Sequence, residues 1–225
     1  MRTLALLSTL ALAAPLAAQQ QPALPNNGPF TQPPELLNRD EVFQLAQASY
    51  PAEMKQAGLG GTPTVRMFVD ADGSVKARRL ERSSAIPALD SAALKVAEAM
   101  RFAPAKDGDR PVPLWVSIPV QFRLQLPTSA ETATPPRIRN LYDVQREIGR
   151  VLNNRALRHD RYPIVSIYVG ADGVPQAFEI GTPSGDHGLD YAALRAAMLS
   201  RFDPARDAAG QPVPAWIRIE VHPHR

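Results

Sequence analysis

Thr64-Val65-Arg66-Met67-Phe68-Val69, then Ala71-Asp72-Gly73-Ser74, then the return from Val75 to Arg82: this stretch decides the fold. The first part alternates and is rich in β-formers, which predicts a strand. Asp72-Gly73 readily supplies the positive-φ positions of a tight turn, so the chain is expected to double back as a hairpin. One hundred residues later the pattern returns as Ile164 to Val169, a turn at Asp172-Gly173, and Val174 to Thr182. The repetition extends well beyond the hairpin. Leu89-Asp90 recurs as Leu189-Asp190, Ala92-Ala93-Leu94 as Ala192-Ala193-Leu194, and Arg101-Phe102 as Arg201-Phe202. After one inserted residue, Pro111-Val112-Pro113 and Trp115 recur as Pro212-Val213-Pro214 and Trp216. Two copies of one small domain are therefore expected.

Working outward, the spacing of Val42, Phe43, Leu45, Ala46 and Tyr50 predicts a helix over Asp40 to Ala57, with Asn38 or Asp40 as N-cap. Gly58, Gly60 and Gly61 are expected to end it. After the hairpin, Asp90 is expected to cap a short helix with Ala93, Leu94, Ala97 and Met100 on its apolar side. Leu114 to Leu126 then reads as a long third strand. In the second copy the corresponding elements are a helix from Leu141 to Asn153, a helix from Asp190 to Arg201 and a last strand from Ala215 to Val221. Helix-strand-strand-helix-strand implies an α+β fold, a three-stranded antiparallel sheet packed on two helices lying on one face. Such a sheet has open edges, and an open edge is a template for an incoming extended peptide.

An ordered set of residues resembles the C-terminal domain of TonB, the periplasmic end of an energy transducer that touches outer-membrane receptors. The set is Tyr50-Pro51, Gly58 to Gly61, Val65 to Asp70 with Ala71-Asp72-Gly73, Leu89-Asp90 with Ala92-Ala93-Leu94, and Phe102-Ala103-Pro104-Ala105. It continues through Pro111-Val112-Pro113-Leu114-Trp115 and Val120-Gln121-Phe122-Arg123-Leu124. The resemblance covers nearly all of Pro34 to Leu126. In the second copy Leu152-Asn153 stands where Tyr50-Pro51 did, and Arg155 to Arg161 replaces the glycine run. What the resemblance implies is capture of a receptor's short segment as an added strand, with no catalytic residue to carry over.

The domain plan is a signal peptide over 1–18, a Pro/Gln-rich arm over 19–33, domain 1 over 34–126, a linker over 127–135 and a divergent domain 2 over 136–225. Arg2 is the charged start of the signal, Leu4 to Ala14 its apolar part, and Ala17-Ala18 the small residues before a cut at Gln19. The apolar run is about 15 residues long where a membrane span needs about 20. Retention as an inner-membrane anchor is the alternative, and the family's transducers have such an anchor followed by a long linker. An arm of about 15 residues at about 3.1 Å each reaches only some 45–50 Å. The chain has no cysteine, which excludes disulfides and suits an oxidising compartment.

A formal charge of +3, from 25 basic and 22 acidic residues interleaved along the chain, describes a solvated surface. It gives no basic stripe with stacking aromatics, so nucleic acid is not an expected partner. Asp70, Asp72, Gly73 and Glu81 touch the pattern of a calcium loop, but the intervening residues read as strand and Gly170 replaces Asp70 in the second copy. His159, His187, His222 and His224 form no ligand set. Ser83, Ser84 and Ser184 lie outside any nucleophile elbow and read as loop serines that cap the next segment. Trp115 and Trp216 read either as peptide-contacting aromatics at a sheet edge or as core aromatics opening the last strand. No cofactor, metal, small-molecule substrate or enzymatic activity is expected.

The reading that follows is a periplasmic, non-enzymatic binding protein for an extended segment of an envelope or outer-membrane protein. The proposed binding edge runs through Val116, Ile118, Val120, Phe122 and Leu124. Two alternatives are a membrane-anchored energy transducer and a structural scaffold of an envelope complex. Open sheet edges also admit pairing of two copies of the chain.

Overall fold

Val65, Met67 and Val69 are fully buried while Thr64 and Arg66 are half-exposed, and this alternation is what makes the segment one strand of a half-solvated sheet. The computed structural model describes residues 28–127, 131–151 and 161–221. The first copy runs β1 (Glu35–Leu36), α1 (Arg39–Ala48), α2 (Ala52–Gln56), β2 (Leu59–Gly60), β3 (Thr64–Val69), β4 (Val75–Arg82), α3 (Pro87–Glu98), β5 (Phe102–Ala103), β6 (Ala105–Asp107), β7 (Arg110–Val112) and β8 (Leu114–Pro119). The second runs β9 (Arg137–Ile138), α4 (Leu141–Val151), β10 (Ile164–Val169), β11 (Pro175–Thr182), α5 (His187–Leu199), β12 (Phe202–Asp203), β13 (Ala205–Arg206), β14 (Pro212–Val213) and β15 (Ala215–Glu220).

Sheet one has the order β4-β3-β8, antiparallel throughout. Its buried face packs against α3, where Leu89, Ala93, Val96 and Ala97 are fully buried and the alanines allow close approach. Leu189, Ala192 and Ala193 repeat the arrangement on α5. At the turn, Gly73 donates to the Asp70 carbonyl at 2.9 Å and Asp70 donates to that of Ser74 at 2.9 Å. Only Gly73 takes a positive φ there; Asp72 instead accepts the Ser74 amide at 2.8 Å.

The helix expected over Asp40 to Ala57 is two helices. Pro51 has no amide hydrogen to give, and its ring drives Tyr50 out of the helical region. The break aims Tyr50 inward. Its hydroxyl donates to the Leu59 carbonyl at 2.9 Å, and its ring meets Phe122 edge-on at 5.5 Å. Burial, with the Glu179 carboxylate adding to it, pushes the Tyr50 hydroxyl up to about 12 from its ordinary 10. The neutral form is therefore favoured by folding. Its contribution is complete below pH 10 and is lost as the pH rises toward 12. Alkaline denaturation followed by tyrosine absorbance should show this loss, and Tyr50→Phe should flatten that part of the profile.

Asn38 occupies the N-cap position of α1 without capping it. Its amide donates to the Ala99 carbonyl at 2.8 Å and its carbonyl accepts the Arg101 amide at 3.0 Å, joining the start of α1 to the end of α3. Asn140 makes the same link in the second copy, to Leu199 at 2.9 Å and Arg201 at 2.8 Å. Asp90 does not begin its helix either, because α3 starts at Pro87, where a missing amide hydrogen costs nothing. Buried in the first turn, the Asp90 carboxylate accepts from the Ser84 amide and hydroxyl, both at 2.8 Å, and from the Ser83 hydroxyl. Asp190 receives the Ser184 amide and hydroxyl, both at 2.7 Å. The loop serines thus bracket the helices.

The second sheet departs from the expected three strands. Its order is β15-β10-β11-β2, and the fourth strand is contributed by the first copy. Leu59 lies opposite Phe178 and Gly60 opposite Glu179, in parallel, with the Phe178 amide donating to the Gly58 carbonyl at 2.8 Å. Thr62 adds a hydroxyl bond to Glu179 at 3.2 Å. Sequence explains the asymmetry. The strand that receives this addition reads Gln176-Ala177-Phe178-Glu179-Ile180, whereas its counterpart β4 reads Lys76-Ala77-Arg78-Arg79-Leu80-Glu81-Arg82. Ala177, Phe178 and Ile180 are buried, and the arginines and lysine of β4 are exposed, as befits an edge kept from pairing.

Candidate strand-capture edge

β8 pairs with β3 on one side only, and no other strand among the described residues lies along its second side. The register decides which backbone groups face outward. Gly61 and Phe122 exchange both bonds, at 3.0 and 2.9 Å, and the Val120 amide donates to Pro63 at 2.9 Å. The same register continues through Val65–Ile118, Met67–Val116 and Val69–Leu114. In an antiparallel ladder hydrogen-bonded pairs recur at every second residue, so the even-numbered residues from Leu114 to Phe122 point their amides and carbonyls inward. Ser117, Pro119 and Gln121 consequently point theirs away from β3. Proline falls at an outward position, where its missing amide hydrogen breaks no bond of the sheet. Regular strand ends at Pro119, short of the Leu126 expected, yet the pairing persists to Phe122.

This geometry separates the residues expected to bind. Val116 and Ile118 lie in the edge strand with side chains on the helix-facing side, partly buried against the core. Val120 and Phe122 are core residues, 3% and 0% exposed. Leu124 lies beyond the paired segment and lines a groove. The groove, about 400 Å³, runs between the end of β8 and α1 and is lined by Val42, Phe43, Ala46, Met100, Ile118 and Leu124. Phe43 is 61% exposed, an apolar side chain left uncovered beside an open edge. The outward ladder of odd-numbered residues was hidden in the sequence, because alternation shows where side chains point and not which ladder is already occupied.

Trp115 belongs neither to the core nor to the groove. It lies on the outer face of the sheet, edge-on to Phe68 at 5.3 Å, with the Arg66 and Arg79 guanidiniums over its ring at 5.2 and 5.1 Å. Trp216 packs on Tyr168 at 5.3 Å in the equivalent place, and there Ser166 and Glu179 replace the two arginines. At the hairpin, Asp70 and Asp72 face Lys76 at 3.8 and 3.6 Å, and Glu81 pairs with Arg66 at 3.8 Å. On α4 the Arg150 guanidinium, with Arg195 beside it, holds the Glu147 carboxyl down to about 2. His187 begins α5; His159, His222 and His224, and residues 1–18, where a signal peptide is expected, lie outside the described residues.

A family model for the Gram-negative bacterial TonB protein C-terminal matches residues 46–124 and again residues 155–222. The chain belongs to this family. Both TonB C-terminal copies carry the α+β architecture described above, including the second, whose sequence departs most. Protein tonB2 of Pseudomonas aeruginosa is 41% identical over 75 residues, 33% of this chain and 28% of that protein. Protein TonB of Vibrio cholerae is 31% identical over 109 residues, 47% of this chain and 45% of that protein. The chain thus spans less than half the length of these curated relatives. No solved structure matches it. Among the described residues no helix is long and apolar enough to cross a membrane.

Proposed function

We propose that the first TonB C-terminal domain captures an extended segment of an envelope protein by strand addition to β8. The observation that carries this reading is the outward ladder of Ser117, Pro119 and Gln121 running beside an uncovered apolar groove. A segment added there would place alternate side chains into the groove and over the outer face near Trp115, which is how such edges combine backbone affinity with side-chain selectivity. The proposed setting is the periplasm, reached through cleavage after residue 18, and the action is binding rather than catalysis. The resemblance to the TonB C-terminal domain favours a second reading, energy transduction to outer-membrane receptors, which requires residues 1–18 to be retained as an anchor.

Proline substitution tests the ladder residue by residue. Ser117→Pro removes an outward donor without touching a bond of the sheet, so partner capture should fall at least tenfold while the melting temperature shifts by only a few degrees. Ile118→Pro deletes an inward donor and strands the buried Val65 carbonyl, at a cost of roughly 1–3 kcal/mol before any strain. Capture measured by fluorescence anisotropy, beside a thermal melt of each variant, separates the two effects. Undiminished capture by a folded Ser117→Pro protein would rule out β8 as the edge.

A further inference from the structure

Pro119, Gln121 and Arg123 line the apolar groove along β8 and also a second cavity, about 300 Å³, that opens between the two domains. The groove therefore continues into an interdomain cleft at the point where an added strand would leave the edge. The chemistry changes there. Arg82 and Arg123 reach the cleft from the first domain and Arg218 from the second. None of these guanidiniums has an ion-pair partner among the described residues. One acid faces them, Glu179, whose carboxylate already accepts the Thr62 hydroxyl at 3.2 Å. Ser83 also lines the cleft, with its hydroxyl already donated to Asp90. Three exposed arginines against one engaged carboxylate leave an excess of positive charge.

We infer that this cleft receives acidic side chains of the captured segment, lying just beyond the residues that pair with β8. The inference rests on strand capture at β8. A ligand arriving from that edge is polypeptide, so the anions it can bring are aspartate and glutamate carboxylates, which the guanidinium fork matches in geometry as well as charge. The second domain thereby acquires a role other than independent binding. It supplies Arg218 and one wall of the cleft, and the docking of β2 on β11 fixes where that wall stands. A single copy could offer the edge, the groove, Arg82 and Arg123, but neither Arg218 nor the wall that closes the cleft.

A library of random twelve-residue peptides selected on the full chain tests this. Peptides recovered on the wild type should combine an alternating apolar stretch with acidic residues at one end. The same selection on an Arg82→Glu, Arg218→Glu double variant, whose two arginines line the cleft and not the groove, should lose the acidic excess. The best acidic peptide should bind that variant at least tenfold more weakly, while its amide counterpart, with asparagine and glutamine in place of the acids, should bind both proteins alike. Equal binding of acidic and amide peptides to the wild type overturns the acidic cleft. Selection that proceeds unchanged on Ser117→Pro overturns the β8 edge itself, and the two failures are thereby distinct.

Discussion

Gly58→Val is expected to undock the two domains. Gly58 has φ +70°, and a Cβ built on it would lie 2.3 Å from the Gln176 carbonyl oxygen across the interface. A β-branched residue is doubly excluded, by its own backbone preference and by a backbone atom that cannot rotate aside. The left-handed conformation alone costs a non-glycine residue about 1–3 kcal/mol. Relief by movement pulls Leu59 and Gly60 off β11, exposing Leu59 and releasing the Phe178 amide from its bond to the Gly58 carbonyl. A loss of about 3 kcal/mol should lower the melting temperature by on the order of 10 °C in a unit of this size. Hydrogen exchange gives the sharper readout, since the Phe178 amide should lose most of its protection while Val65, deep in sheet one, keeps its own. Unchanged protection at Phe178 would mean that the domains are held by something other than this strand.

The second large effect is expected at Asp90. Its carboxylate accepts three bonds from Ser83 and Ser84, and Ser84 is only 2% exposed. Asp90→Ala leaves a buried amide and hydroxyl without their main acceptor, a loss on the order of 3 kcal/mol. Asp190→Ala should cost less, because Ser184 is half-buried and Asp190 receives two bonds rather than three. The bracket in the first copy also pins Ala85 at φ +64°, the place held by Gly185 at φ +93° in the second. Ala85→Gly should therefore stabilise the first domain by about 1 kcal/mol. Urea denaturation of the three variants orders them, and equal losses for the two aspartates would show that burial of the serines is not what sets the cost.

The hairpins were legible because alternation of Val65, Met67 and Val69 over a half-exposed face leaves a direct trace in residue type. The broken first helix was legible in principle, since Pro51 marks it, but the apolar spacing runs on to Tyr50 and the proline falls one residue later. Asn38 and Asp90 looked like caps because their residue types suit that role. Their actual partners lie on another element or in the preceding loop. The strand Leu59–Gly60 had no local signature at all: two residues, one of them glycine, whose partner is more than a hundred positions away. The candidate edge was expected from the length of the last strand, and its ladder parity emerged only from the bonds of Phe122 and Val120 to Gly61 and Pro63. The interdomain cleft follows from that docking and so lay beyond local reading.

The junction of β2 with β11 joins unlike surfaces, and contacts of that kind can propagate from molecule to molecule without ever closing on themselves. Were the second copy to offer its own counterpart of β2 to the β4 of another molecule, a filament would grow. The residues at that place are Arg155 to Arg161, with arginines at 155, 158 and 161, and the strand they would meet carries Lys76, Arg78, Arg79 and Arg82. Like charges along a would-be ladder oppose pairing. The arginines that replace the second copy's glycine run thus oppose repetition of this contact from one molecule to the next.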